Sequence, residues 1–359
     1  MVFRKALLRE LATVALGAFL VLLGITITTQ LVRFLGQAAS GVITSTGVVA
    51  LLGFTLLSYL PVLLSLTLFI AVLMTLTRSY RDSEMVVWFS CGVSLTQWVR
   101  PVLVFALPLV FTIGLLSLAL SPWAVSKAEE FRRLMESRDD VSAVSPGVFR
   151  ESRQAERVYF VEEVSGKENL VANVFVSATQ HQKTGVMVAD QGFQETMPNG
   201  DRFLVLLNGR RYEGEAGTAE YRISEFERYA MRIEISEMAV RAPTTKTTPT
   251  YELLRARTPH NMAELSWRVG LPLSALILSL LAIPLSFVNP RGGRSMNLLL
   301  ALLIYATYSN LLSIVQASIA QSRIELATGL WGVHALMAAL LVLLFYRRVM
   351  RFSLFRLIK

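Results

Sequence analysis

Two carboxylates, Asp82 and Glu84, stand directly before an apolar patch of Met85, Trp88 and Phe89 in the run RDSEMVVWFSCG, residues 81–92. This composition suits an anchor for a partner protein, because a few buried aromatics carry most of the energy at protein interfaces. Asp82 or Ser83 can cap a short helix, Glu84 in its first turn complements the dipole, and Gly92 suits the residue that ends it. The competing reading is a helix that packs on its own bundle or dips into lipid. A second chemistry belongs to Arg33. Its guanidinium suits a phosphate, although a basic residue at a membrane interface also serves as a plain anchor. A third is the polar run Tyr305, Thr307, Tyr308, Ser309, Asn310, Ser313 and Gln316, with Thr26, Thr28, Thr29 and Gln30 elsewhere. Such residues either hydrogen-bond helices together or line a cavity or gate.

Covalent and acid–base chemistry find no constellation. The three histidines, His181, His260 and His334, are isolated, and there is no H-E-x-x-H. A single cysteine, Cys91, excludes an intramolecular disulfide and a Cys-cluster metal site. There is no G-x-x-x-x-G-K-[ST]; Ser165-Gly166-Lys167 lacks the first glycine and the loop-to-helix context. The chain is therefore expected to hold no cofactor and not to hydrolyse ATP itself, so a separate ATPase is a natural partner for the 81–92 loop. An enzyme acting on envelope lipid has no positive support in the residues.

The elements that must position these residues are membrane spans. The 359 residues are 53% hydrophobic and 17% charged, with a mean hydropathy of +0.50, too apolar for an ordinary soluble domain. The net charge of +9 points to cytoplasmic loops and anionic lipid, and no aromatic-interleaved basic stripe points to nucleic acid. A span needs about 20 apolar residues. Leu11–Val32, Val48–Leu76 and Val99–Ser121 supply three; Arg268–Val288, Asn297–Ala317 and Leu330–Tyr346 supply three more. The first run is longer than a signal-peptide core and is read as a retained helix. With both termini in the cytoplasm, the inner segments hold Arg4, Lys5, Arg9, Arg78, Arg81, Arg100, Arg291, Arg294 and the basic tail, whereas the short outer loops hold only Arg33 and Arg323. The spans carry almost no ionisable residues, which disfavours a proton relay.

Residues 122–262 form the insert between the two sets of spans, on the outer face. Arg157–Val164, Asn173–Thr179, Gly185–Gln191, Arg202–Leu207 and Tyr221–Ile235 read as strands. Asn208-Gly209 reads as a hairpin turn. Many short strands without helices between them predict a sandwich, jelly roll or barrel. The expected class is an α+β membrane protein: spans in 1–121, with a coupling helix at about 82–91; a β-jellyroll-like domain in 122–262; and spans with a basic tail in 263–359.

This plan resembles the LptF/LptG (YjgP/YjgQ) family of lipopolysaccharide-export permeases, and Arg78–Ser94 (RSYRDSEMVVWFSCGVS) is closer to its LptF branch. The resemblance implies a non-catalytic permease subunit of an ABC exporter in the bacterial inner membrane. It would pair with an LptG-type permease on a dimer of the ATPase LptB, which binds the ATP and Mg. Lipopolysaccharide would enter between the bundles through gates at spans one and five, and pass to periplasmic jellyrolls joined to LptC and a bridge toward the outer membrane. Asp82, Ser83, Glu84, Met85, Trp88 and Phe89 would be the ATPase-coupling residues. Arg33, Gln30, Tyr305, Tyr308 and Asn310 would be candidate lipopolysaccharide contacts. A membrane-anchored sensor or assembly scaffold with a β binding domain is the alternative.

Overall fold

The computed structural model describes residues 2–39, 43, 45–142, 149–152, 157–165, 170–180, 183–197, 202–215, 221–233, 244–287 and 294–357. They divide into a helical unit, Met1–Arg132 with Pro243–Lys359, and a sheet unit, Arg133–Ala242.

In the helical unit the long helices are α1 (Val2–Ala39), α2 (Ser45–Arg81), α4 (Val99–Leu115), α7 (Pro259–Leu285), α8 (Arg294–Ala320) and α9 (Leu326–Leu357), with α5 (Ser121–Ser142) as far as Arg132; α3 (Glu84–Ser90) and α6 (Thr250–Arg255) are short. Six stretches among the described residues are long and apolar enough to cross a membrane. Burial ranks them. Half of the α2 span and 61% of the α7 span are buried, against 11% for α1 and 17% for α8. The centre is made of small residues: α7 buries Gly270, Ser274, Ala275, Ser279 and Ala282, which let neighbouring helices approach closely. A Cβ on Gly270 would already touch His334 Nε2 and Leu312 at 3.5 Å. Around this seam lies one core including Leu11, Leu68, Phe69, Val72, Leu76, Trp98, Val102, Leu278 and Tyr308.

Two helices run further than apolarity predicts. The third span continues through a π-register stretch, Leu116–Leu120, into α5, so residues 122–142 of the expected β insert are helical. Its charges end the apolar run, but Ala128 and Phe131 still pack against Phe34, Ile43, Val48 and Leu51. The fourth span starts at Pro259 rather than Arg268, because Thr258 caps it by accepting the Asn261 N–H at 3.3 Å and Pro259 fills its first turn.

The sheet unit holds six antiparallel strands in the order β1-β2-β3-β4-β5-β6: β1 (Arg150–Ser152), β2 (Arg157–Ser165), β3 (Leu170–Gln180), β4 (Lys183–Thr196), β5 (Arg202–Glu215) and β6 (Tyr221–Ile233). Each of β2–β6 pairs with its sequence neighbours, and no Greek-key crossover occurs among the described strands. The pairing skips one row: Glu162, Asn173, Asp190, Asn208 and Glu227, one residue from each of β2–β6. Asn173 and Asn208 have φ of 50° and 51°, a left-handed conformation Asn tolerates. At this row the in–out alternation changes phase. Strand β4 buries Met187 and Ala189 before it and Gly192 after it; β6 packs Phe226 before it and Tyr229 and Met231 after it. The sheet is creased across all five strands, and one face stays inside on both sides of the fold.

Asn208-Gly209 is thus not the expected hairpin turn. It lies within β5, paired on both sides, and the β5–β6 connection falls after Glu215. The same preference for positive φ serves the crease instead. Gly209 is required there by space, since a Cβ would lie 2.5 Å from both the Phe226 ring and the Val188 carbonyl oxygen.

Candidate functional site

The 81–92 loop forms the short helix α3. Its end is a Schellman motif: the Gly92 N–H bonds the Phe89 carbonyl and the Val93 N–H bonds the Trp88 carbonyl, both at 3.0 Å, with Gly92 at φ +85°. Its start differs from the expected side-chain cap. Ser83 is the cap residue, at φ 59°, and makes no side-chain capping bond. The acidic side chains are engaged elsewhere. Asp82 pairs with Arg81 at 3.0 Å and faces Arg78 at 3.6 Å. Glu84 accepts from Ser79 Oγ at 3.0 Å and pairs with Arg78 at 3.3 Å.

Arg78, in the last turn of α2, is shared by three carboxylates. Besides Asp82 and Glu84 it holds Glu10 of α1 from two sides: Nη2 donates to Oε2 at 2.7 Å, and Nε is in ion-pair contact with Oε1. Glu10 is flanked on the same helix face by Leu7 and Leu11, which belong to the core that contains Met85.

The apolar residues of α3 divide between two faces. Met85 is buried in the helical core, and Trp88 and Phe89 are partly buried against it. Phe89 leans on Tyr80 at 6.3 Å, and Tyr80 meets Phe287 edge-on at 5.5 Å. The outward residues are Val86 and Val87, 65% and 60% exposed. With Ser83 and Ser90, also exposed, they form an i, i+3, i+4, i+7 stripe. The sequence signal for that stripe was the helical period itself, which the larger Trp and Phe overshadow.

The expected lipid-contact residues do not meet in one place. Arg33 is exposed, whereas Gln30, three residues earlier, is buried with its Oε1 lacking a hydrogen-bond partner. Tyr305 stacks on Phe69 of α2, with ring centres 6.5 Å apart. Tyr308 is fully buried, and its hydroxyl meets His334 Nδ1 of α9 at 2.5 Å. That pair joins two helices, so His334 and Tyr308 serve packing inside this bundle. Asn310 points outward, and Thr307 and Ser313 share its exposed face with Leu303 and Ile314. His260 is exposed, and His181 lies outside the described residues. Among the described residues no group of three or more His, Cys, Asp or Glu side chains could hold a metal ion.

A buried ionic knot at the start of α7 escaped the sequence reading. Arg268 and Glu264 are 2% and 7% exposed and pair at 2.9 Å. The guanidinium also donates to Thr250 Oγ1 at 2.8 Å and to the carbonyls of Thr245 and Lys246 at 3.1 and 3.2 Å. Ser117 Oγ donates to the Arg268 carbonyl at 3.0 Å, and Thr250 Oγ1 to the Leu118 carbonyl at 2.5 Å. The strap 244–250 and the π-register stretch of the third span are thus tied to α7. The i, i+4 spacing of Glu264 and Arg268 was the available clue.

The chain matches the family described as "Lipopolysaccharide export system permease LptF/LptG" over residues 5–347. It is 28% identical over 347 residues to the lipopolysaccharide export system permease protein LptF of Escherichia coli K12, covering 96% of this chain and 94% of that protein. The LptF proteins of Escherichia coli O157:H7 and Shigella flexneri match to the same extent. The match takes in the spans, the α3 loop and the creased sheet alike, and the chain belongs to the LptF/LptG family of lipopolysaccharide export permeases.

Proposed function

We propose that this chain is the LptF-type, non-catalytic permease subunit of an ATP-driven exporter that lifts lipopolysaccharide out of the inner membrane. The family match over residues 5–347 carries the reading. In it, three spans precede and three follow a periplasmic β domain, and both termini lie in the cytoplasm, in keeping with the lysine and arginine distribution. Drawing a lipid from a bilayer costs about 0.8 kcal/mol per exposed methylene. That work needs an ATPase, an LptB dimer with its ATP and Mg, which docks on α3. The exposed Val86–Val87 stripe supports this docking. The thin burial of α1 and α8 supports their use as gate helices against an LptG-type permease. Arg33 on α1 and Asn310 on α8 would meet the lipid there. The creased sheet supplies a folded apolar interior for acyl chains and an edge strand for joining LptC and the periplasmic bridge.

The test is co-purification of the ATPase from native membrane. Val87→Asp, which puts a charge on the outward stripe and leaves Met85 in its core, is expected to lose the ATPase while the two permeases stay together. Undiminished ATPase association in Val86→Asp and Val87→Asp chains would refute the docking face. A chain that co-purifies with no ATPase would favour the scaffold reading.

A further inference from the structure

We propose that Arg78 is a positioning residue that yokes α1 to the docking helix, so that a push on α3 moves the inner end of the first span. The inference rests on reading α3 as the ATPase dock. One guanidinium holds Glu84 of α3 and Glu10 of α1 at once. The two-sided grip on Glu10 fixes orientation as well as distance, which a lysine ammonium would not do. Leu7 and Leu11, beside Glu10, share a core with Met85 beside Glu84. The ionic link therefore runs along the edge of a core to which both elements contribute. Side-chain exposures of 41% for Arg78 and 26% for Glu10 keep this an open, water-accessible link, and such pairs add little stability. Its place in the fold suggests transmission instead. Between its ends α1 is thinly buried, 11% of its span, and it is held again at the outer end, where Phe34 packs with Ile43, Val48 and Leu51. Glu10 and Phe34 lie about 36 Å apart along one helix, so a shift of about 6 Å at the yoke tilts α1 by about 10° around the Phe34 contact.

The experiment uses the full chain with its partner permease and ATPase, reconstituted in vesicles containing lipopolysaccharide. Glu10→Gln removes one charge and leaves Arg78 with Glu84. ATPase binding and ATP hydrolysis are expected to stay at wild-type levels, while lipopolysaccharide released per ATP falls about fivefold or more. Arg78→Lys, which keeps the charge and loses the fork, is expected to fall likewise. Glu10→Asp is expected to recover part of the release, and Arg9→Gln, next along α1, to change nothing. Wild-type release per ATP in both Glu10→Gln and Arg78→Lys overturns the yoke. Loss of the ATPase from the Glu10→Gln chain also overturns it, because Glu10 would then serve docking rather than transmission. Failure of the docking reading shows separately, as ATPase retained by the Val87→Asp chain.

Discussion

Removing Arg268 should destabilise the chain more than removing both members of its ion pair. Glu264 is 7% exposed, and its other polar contact is a long one, Gln316 Nε2 at 3.4 Å. Arg268→Met therefore leaves a buried carboxylate uncompensated, a change that costs about 3–5 kcal/mol. The strap carbonyls of Thr245 and Lys246 also lose their donor. Both residues are at least partly exposed, so water can replace that donor and little further cost follows. Combining Arg268→Met with Glu264→Gln removes the stranded charge, and the double variant should lie within about 1–2 kcal/mol of wild type. The cycle then yields a coupling of about 2–3 kcal/mol plus whatever Glu264→Gln costs alone. Equilibrium unfolding of the purified chain in mixed micelles, titrated with sodium dodecyl sulfate, measures all four corners. Costs for Arg268→Met and Glu264→Gln that simply add in the double variant would refute the assignment of a closed ionic knot.

Tyr308→Phe strips His334 of its Nδ1 partner in a buried site; the same unfolding titration should show a loss of about 1–3 kcal/mol, and no loss would mean that water already satisfies the ring. Gly209→Ala sets a methyl against the Phe226 ring and the Val188 carbonyl, so a circular-dichroism melt of the full chain should lose strand signal earlier than wild type; an unchanged melt contradicts the close approach at the crease. Arg33→Glu should slow lipopolysaccharide release from vesicles more than Arg323→Glu does, with equal effects removing any special role for Arg33.

The spans were legible because about 20 apolar residues in a row have few other uses, and α3 was legible from its glycine stop and charge step. What the sequence concealed was which way side chains face. Met85, Trp88 and Phe89 look like free anchors in a list, yet a two-turn helix lying on a bundle must turn one side inward, and it turns these. Tyr308 looks like part of a polar wall, yet a partner from α9, 26 residues on, draws it into the core. Asn208-Gly209 satisfies a hairpin turn and a crease equally well, because both need positive φ. Only the flanking pairing with β4 and β6 decides between them. Arg268 looks like the edge of a span, since a lone sequence does not reveal that the strap 244–250 returns to cover it.

The central claim is that this chain moves lipopolysaccharide only when a separate ATPase drives it. Vesicles loaded with lipopolysaccharide test it directly, with the chain and its partner permease reconstituted with and without the ATPase, and a periplasmic acceptor outside. The account predicts ATP-dependent transfer to the acceptor that needs the ATPase and is lost in the Val87→Asp chain. Transfer at the same rate without ATPase or ATP, or none when all components are present and assembled, would contradict it.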